Sequence, residues 1–230
     1  RIRSITEDLA EEQGRKQFEE LVQATQEDID LEQSVLLIAR SRYPNEDLRW
    51  CSETLDQLSY ELDSKLDAHE DPLDIISTVA KFFSTEKGFR GDIEDYYNPE
   101  NSYINRVLGK RSGLPISLCT IYLLVAKRLN IPLYGVGMPG HFLLTYRVGD
   151  KEIFLDPFRA GKMMSRTECR DFLEATGHGF REEYLAAVTN RQIIERILRN
   201  LILAYRQRGE VHRVSSLQAF LAIVSGSTRS

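Results

Sequence analysis

The stretch from residue 115 to residue 129 constrains the fold more than any other part of this sequence. Drawn as a helix, residues 116–129 place apolar side chains on most of the circumference, whereas a surface helix shows a single apolar stripe. Pro115 suits the first helical position, where a backbone N–H has no helical partner in any case. Lys127 and Arg128 complement the negative end of the helix dipole. The sequence therefore predicts a helix buried at the centre of a domain.

The hydrophobic pattern changes from helix to strand after residue 130. Runs at 131–136, 141–148 and 151–155 are typical of short strands, and Gly149-Asp150 is typical of a two-residue hairpin turn. Helical periodicity and caps predict further helices at 30–42, from a cap at Asn45 to Leu66, from Asp71-Pro72 to Gly88, and at 98–111, 166–175, 190–207 and 210–224. We therefore predict an α+β fold: a central buried helix against a small antiparallel sheet, surrounded by N- and C-terminal helices.

Composition excludes several classes of function. The net charge of −5 argues against non-specific nucleic-acid binding, which needs a basic surface. The chain has no apolar run of about 18 residues, so we expect no membrane span, and residues 1–4 do not resemble a signal peptide. Three cysteines, an odd number without metal-binding spacing, favour a reducing cytoplasm and predict no metal site and no cofactor.

The predicted hairpin brings a histidine to a carboxylate. If Gly149-Asp150 is a two-residue turn, Leu143 faces Asp156 across the hairpin, and His141 lies two residues along on the same face. A carboxylate next to a histidine fixes its tautomer and stabilises its charged form. This pair is the base and orienting half of a nucleophilic triad. A three-residue loop would place the two side chains on opposite faces.

A nucleophile for this pair is harder to find. Enzymes with a nucleophilic cysteine often place it at the N-terminus of a buried helix, where the dipole lowers its pKa. The first turn of the central helix offers Ser117, and Cys119 lies deeper. Each has a simpler reading: Ser117 as a hydroxyl that satisfies first-turn amides, and Cys119 as a core residue. His141 could likewise bond only to backbone, and Asp156 before Pro157 could serve only as a turn initiator.

Several motifs in a fixed order resemble a known family. They are DYYNPENSY at 95–103, RSGLPISL at 111–118, LNIP at 129–132, PGHFLL at 139–144 and DPF at 156–158. The series is similar to the SirB1 family of the transglutaminase-like superfamily, described as regulators with transglutaminase-like and tetratricopeptide-like parts. Ordered motifs are far more specific than any single one.

The resemblance implies a domain organisation and a modified active site. It implies a transglutaminase-like (papain-like) domain at 30–180 with its motif core at 89–161. Before this domain, residues 4–25 are acidic and weakly amphipathic, and we predict a loosely attached helical lead-in at 1–29. A tetratricopeptide-like helical pair is implied at 181–230, where Leu201, Ala204, Tyr205, Gly209 and Glu210 match the middle of one repeat. His141 and Asp156 match the superfamily's histidine and aspartate, but Pro115 occupies the cysteine position.

Two functions of different classes follow. In the first, the chain is a non-catalytic or vestigial transglutaminase-like protein, a cytoplasmic regulator that binds a protein or peptide. In the second, it is an amide-bond hydrolase or acyl-transferase that uses Ser117 or Cys119 with His141 and Asp156. We favour the first because of Pro115. The sequence names neither a partner nor an oligomeric state.

Overall fold

A computed structural model describes residues 5–25, 28–66 and 71–226 of the chain. Its helices are α1 (Ile5–Gln23), α2 (Leu31–Arg42), α3 (Arg49–Asp63), α4 (Pro72–Lys81), α5 (Ile104–Lys110), α6 (Pro115–Arg128), α7 (Arg166–Ala175), α8 (Asn190–Gln207) and α9 (Val211–Val224). Its strands are β1 (Arg90–Gly91), β2 (Ser112–Gly113), β3 (Leu133–Val136), β4 (Leu143–Val148), β5 (Lys151–Asp156) and β6 (Lys162–Met164). The mixture of helices with small sheets agrees with the predicted α+β class.

Helix α6 is the buried centre of the fold, as its sequence predicts. Leu114 precedes it in extended conformation, Pro115 is its first residue, and nearly all its side chains are buried. The sheet packs along one side of α6, and α3, α5 and α8 pack around it. The ring of Tyr122 stacks on Phe83 with centroids 3.9 Å apart, which joins α6 to the short π-helix Phe82–Glu86 that continues α4.

The main sheet is a four-stranded antiparallel meander in the order β3-β4-β5-β6. The pairs Val148↔Lys151 and Leu144↔Leu155 give the register predicted from a two-residue turn. Gly149 has a φ of +56°, which suits the first turn position of a type II′ hairpin. The pattern did not predict β6. It also did not predict β1, which lies inside the predicted loop at 88–97 and pairs in parallel with β2.

Both boundaries predicted for α3 are wrong, and the helix predicted at 98–111 is divided by the extended Tyr103 into the 3-10 helix Pro99–Ser102 and α5. Asn45 does not cap α3, because the chain turns first and the Asp47 carboxylate accepts the N–H of Arg49, where the helix begins. Leu66 lies beyond the end of the same helix at Asp63 and only packs against the core. Other caps agree with prediction: Asp71 accepts the N–H of Leu73 at 2.9 Å.

The outer helices pack into the same core as α6. Phe18 of α1 is fully buried, and its ring lies 5.0 Å from that of Phe220 in α9. This packing contradicts the prediction of a loosely attached lead-in, although residues 1–4 and 26–27 of that segment lie outside the described part. Helices α8 and α9 pack side by side, and residues 227–230 of the predicted C-terminal pair are not described. Within the described ranges, no helix has the length and apolarity needed to cross a membrane.

Candidate functional site

The imidazole of His141 hydrogen-bonds to the carboxylate of Asp156. Nε2 of His141 lies 2.8 Å from Oδ2 of Asp156, and the two residues are 7% and 0% exposed. Asp156 ends β5, whereas the strand predicted to begin at His141 begins only at Leu143, so His141 lies two residues before β4. The hairpin register still brings them together, so the predicted contact is present.

Asp156 also performs the turn-initiating role considered as its alternative reading. Its Oδ1 accepts the backbone N–H groups of Phe158 and Arg159 at 3.1 and 3.2 Å, which caps the 3-10 helix Pro157–Arg159. Arg159 Nε lies 3.7 Å from Oδ2. One carboxylate oxygen therefore accepts hydrogen bonds from the backbone and the other from the histidine, so both oxygens of this buried group have hydrogen-bond partners.

The two ring nitrogens of His141 differ in their hydrogen bonding. Hydrogen bonds to the described residues engage Nε2, whereas Nδ1 has no partner among them. When the ring is neutral, the carboxylate favours the tautomer with the proton on Nε2, so Nδ1 presents a lone pair. The rings of Phe158 and Phe172 pack around the imidazole, with centroids 6.1 and 5.4 Å away, and Tyr96 packs on Phe158. The site is therefore a hydrogen-bond acceptor in an aromatic setting.

Ser117 does not satisfy first-turn amides. Its side chain is buried, and its Oγ has no hydrogen-bond partner in the described part of the chain. The residue that precedes the helix is Leu114, which offers no side-chain cap. The simpler sequence reading of Ser117 is therefore wrong, since the helix begins with Pro115 and leaves the hydroxyl facing the packed interior.

Cys119 lies beside the site but faces backbone. Its Sγ donates to the carbonyl oxygen of Phe142 at 3.7 Å, and the residue is fully buried. Burial raises the pKa of the Cys119 thiol well above its usual value, and the nearby negative charge of Asp156 raises it further. Such a thiol stays protonated at neutral pH, which is the opposite of an activated nucleophile.

Sequence reasoning missed two side chains of this site, Phe172 and Arg196. Phe172 comes from α7, and Arg196 comes from α8, where it contacts the segment that carries His141. The sequence does contain one signal for Arg196. Arg196 lies between Ile193 and Ile197 on the buried face of an amphipathic helix, where a charged side chain needs a hydrogen-bond or ion-pair partner.

Comparison with known proteins identifies the family. The model of the transglutaminase-like superfamily matches residues 49–199, so the chain belongs to this superfamily. The match includes α3 to α6, the whole sheet and most of α8, and it therefore contains His141, Asp156 and Arg196.

The chain is similar to proteins of bacteria and animals. A UPF0162 protein of Xylella fastidiosa strain Temecula1 is 36% identical over 186 residues, covering 78% of this chain and 66% of its own length. A UPF0162 protein of Vibrio cholerae is 30% identical over 176 residues, covering 74% of this chain and 64% of its own length. F-box only protein 21 of Homo sapiens is 32% identical over 129 residues, 53% of this chain and 20% of that protein. The chain thus spans slightly less than two thirds of the two bacterial relatives. No solved structure matches.

Proposed function

We propose that this chain is a cytoplasmic, non-catalytic member of the transglutaminase-like superfamily that acts as a regulatory protein- or peptide-binding module. One observation carries the proposal. His141 is hydrogen-bonded to the carboxylate of Asp156, while the thiol of Cys119 donates a hydrogen bond to the carbonyl oxygen of Phe142 and not to His141. A buried polar pair is expensive to keep unless its hydrogen bonds are complete or it has a use. Because no thiolate is present for catalysis, we infer that the His141–Asp156 pair serves to bind another molecule.

The chemistry of His141 restricts what the site holds. With the proton on Nε2, Nδ1 accepts a hydrogen bond, so the bound group presents an N–H or an O–H. A peptide backbone amide meets this requirement, and the aromatic surroundings of Phe158 and Phe172 suit an adjacent apolar side chain. On the nearby loop, the side chains of Ile93 and Tyr97 are exposed and are available for further contact.

The helical surroundings fit a SirB1-type arrangement. Residues 181–230 contain the α8–α9 pair, which we propose is the tetratricopeptide-like part of the module. Tyr205, one of the matching repeat positions, reaches into the domain, where its hydroxyl lies 3.1 Å from that of Tyr103. In this proposal the pair belongs to the binding module and provides its flanking interaction surface.

Removing Nδ1 while keeping the bond to Asp156 tests the proposal directly. In His141→Gln, the side-chain amide can still donate to the carboxylate in place of Nε2, but nothing replaces Nδ1. We expect this variant to weaken binding of peptides selected on a random peptide array by about tenfold, the factor for one lost hydrogen bond. Asp150→Asn, in the exposed hairpin turn between β4 and β5, is the control and should bind as the wild type does. Equal binding by wild type and His141→Gln contradicts the proposal.

One observation favours the alternative function, an amide-bond hydrolase or acyl-transferase. Cys119 Sγ lies against the residue that follows His141, so a rotation of the side chain could bring it towards the imidazole. His141 would then take the thiol proton, the thiolate would attack the amide carbonyl, and the histidine would return the proton to the departing amine. Ser117 is the other candidate nucleophile.

Covalent probes separate the two functions. The binding proposal expects neither an iodoacetamide probe nor a fluorophosphonate probe to label the native protein stoichiometrically. Rapid labelling of Cys119 or Ser117 that disappears in His141→Gln, together with turnover of an amide substrate, establishes the enzyme instead.

A further inference from the structure

The loop that delivers His141 is a tight turn. The N–H of His141 donates to the carbonyl of Met138 at 3.2 Å, Pro139 is the second residue, and Gly140 has a φ of +71°. Proline second and a glycine of positive φ third are the features of a type II turn. The turn determines where the chain enters β4, and therefore where the imidazole points.

Arg196, on helix α8, hydrogen-bonds to both ends of this turn. Its Nη2 donates to the carbonyl oxygens of Met138 and His141, at 3.0 and 2.8 Å. These are the first and last carbonyls of the turn. The guanidinium also lies 5.5 Å from the ring centroid of Phe142, a cation–π contact with the residue that follows the turn.

Gly137, next to the turn, packs beside this side chain. A Cβ atom on Gly137 would lie 3.5 Å from Nη1 of Arg196, an ordinary contact distance, and 3.3 Å from a methyl of Val188, which is tighter. Arg196 is half-buried and forms no ion pair with a carboxylate in the described ranges. Burial lowers the pKa of Arg196, while the neighbouring Tyr96 and Cys119 act in the opposite direction. The positive charge is thus stabilised by carbonyl dipoles and a ring.

We propose that Arg196 is a positioning residue, which holds the turn at 138–141 so that the His141 imidazole stays hydrogen-bonded to Asp156 with Nδ1 free. The proposal deepens the proposed function, on which it rests only for the statement that His141 meets the bound peptide. It explains why a helix outside the motif core belongs to the site: α8 adds two hydrogen bonds to a turn whose own closing bond runs from His141 to Met138. A long-range contact of this kind joins residues 55 positions apart.

The tautomer of His141 reports on this arrangement without any ligand. In nitrogen-15 NMR of the full chain, at a pH where the imidazole is neutral, the wild type should show a single tautomer with the proton on Nε2. Arg196→Met should give a mixture of tautomers and about tenfold faster exchange of the Nε2 proton with water, the factor expected when a hydrogen bond to a charged group is lost. The signal of His141 is assigned by its absence in His141→Gln.

Two further variants separate positioning from stability. Arg199→Met, three residues along α8, removes an exposed arginine whose partner is Glu195, and should leave the His141 signals unchanged. Arg196→Lys keeps one charged donor and should restore most of the wild-type exchange rate. If Arg196→Met does not fold, Arg196→Gln replaces it and should show the same mixture of tautomers.

A loss of stability without a change in His141 would contradict the proposal. If Arg196→Met or its replacement unfolds at lower temperature but keeps a single tautomer and wild-type proton exchange, Arg196 only stabilises the fold and the proposal is wrong. Because no peptide is present, this result does not depend on whether the site binds one. A failure of peptide binding in the wild type, conversely, rejects the proposed function and leaves the role of Arg196 in orienting His141 intact.

Discussion

Asp156 uses its two carboxylate oxygens for different tasks: Oδ2 accepts the imidazole of His141 at 2.8 Å, and Oδ1 accepts two backbone N–H groups. The first contact belongs to the candidate site and the second to the local fold. One buried side chain therefore couples the conformation of the chain after β5 to the orientation of the histidine. A substitution that changes only one oxygen can separate the two tasks.

Asp156→Asn should change the tautomer of His141 and cost moderate stability. The amide oxygen can replace Oδ1, but the NH₂ group then faces Nε2 and forces it to accept, which moves the imidazole proton to Nδ1. We expect the free energy of unfolding to fall by about 1–3 kcal/mol, the usual cost of losing a hydrogen bond to a charged group. Urea unfolding and nitrogen-15 NMR measure the two effects. Asp150→Asn, in the exposed hairpin turn, is the control, and a wild-type tautomer in Asp156→Asn would contradict the assignment.

The cysteines should resist a thiol reagent across the neutral range. Burial raises the pKa of Cys51 and Cys169 from 9.0 to about 12 and raises the pKa of Cys119 well above its usual value, and nearby acidic side chains reinforce all three shifts. Because a raised pKa keeps a thiol protonated, labelling should stay slow between pH 7 and pH 9, where an ordinary cysteine would become several-fold faster. Absorbance with a disulfide reagent measures the rate, and three thiols should react rapidly once urea unfolds the chain. Rapid labelling of the folded protein that is lost in Cys119→Ala would support the enzyme function instead.

Truncation of Leu118 should show that α6 is the structural centre. Leu118 is fully buried in α6, so Leu118→Ala should lower the free energy of unfolding by about 2–5 kcal/mol. Leu129, at the end of the helix, is only partly buried, and Leu129→Ala should cost less. Leu203→Ala, on the exposed side of α8, should change stability by about 0.5 kcal/mol or less. Equal effects of Leu118→Ala and Leu203→Ala would place α6 at the periphery.

Phe18→Ala should destabilise the whole domain and not a separate appendage. Phe18 is buried against Phe220 in one continuous core with α6, so its truncation should cost about 3–5 kcal/mol. The loss should appear in a single unfolding transition, seen at the same urea concentration by circular dichroism and by tyrosine fluorescence. Lys16→Ala, on the exposed side of α1, is the control. A separate early transition in Phe18→Ala would instead show that α1 is an independent unit.

Local rules in the sequence determined the elements and the His141–Asp156 contact. The apolar circumference of α6, the proline that begins it and the Gly149-Asp150 turn act over a few residues, so composition and spacing suffice to predict a central helix and a hairpin register. That register brings together residues 15 positions apart. Short β1, β2 and β6 escaped prediction because pairing with distant segments, and not their own pattern, defines them.

Only the tertiary structure decided what surrounds the pair. The direction of the Cys119 thiol depends on where the backbone of Phe142 passes, and the isolation of the Ser117 hydroxyl depends on the packing of its neighbours, neither of which a helical pattern contains. Arg196 reaches the turn before β4 from α8, and Phe18 meets Phe220 from the opposite end of the chain. Periodicity marks a side chain as inward-facing, but the partner it meets there depends on how separate elements pack, which is a property of the whole fold.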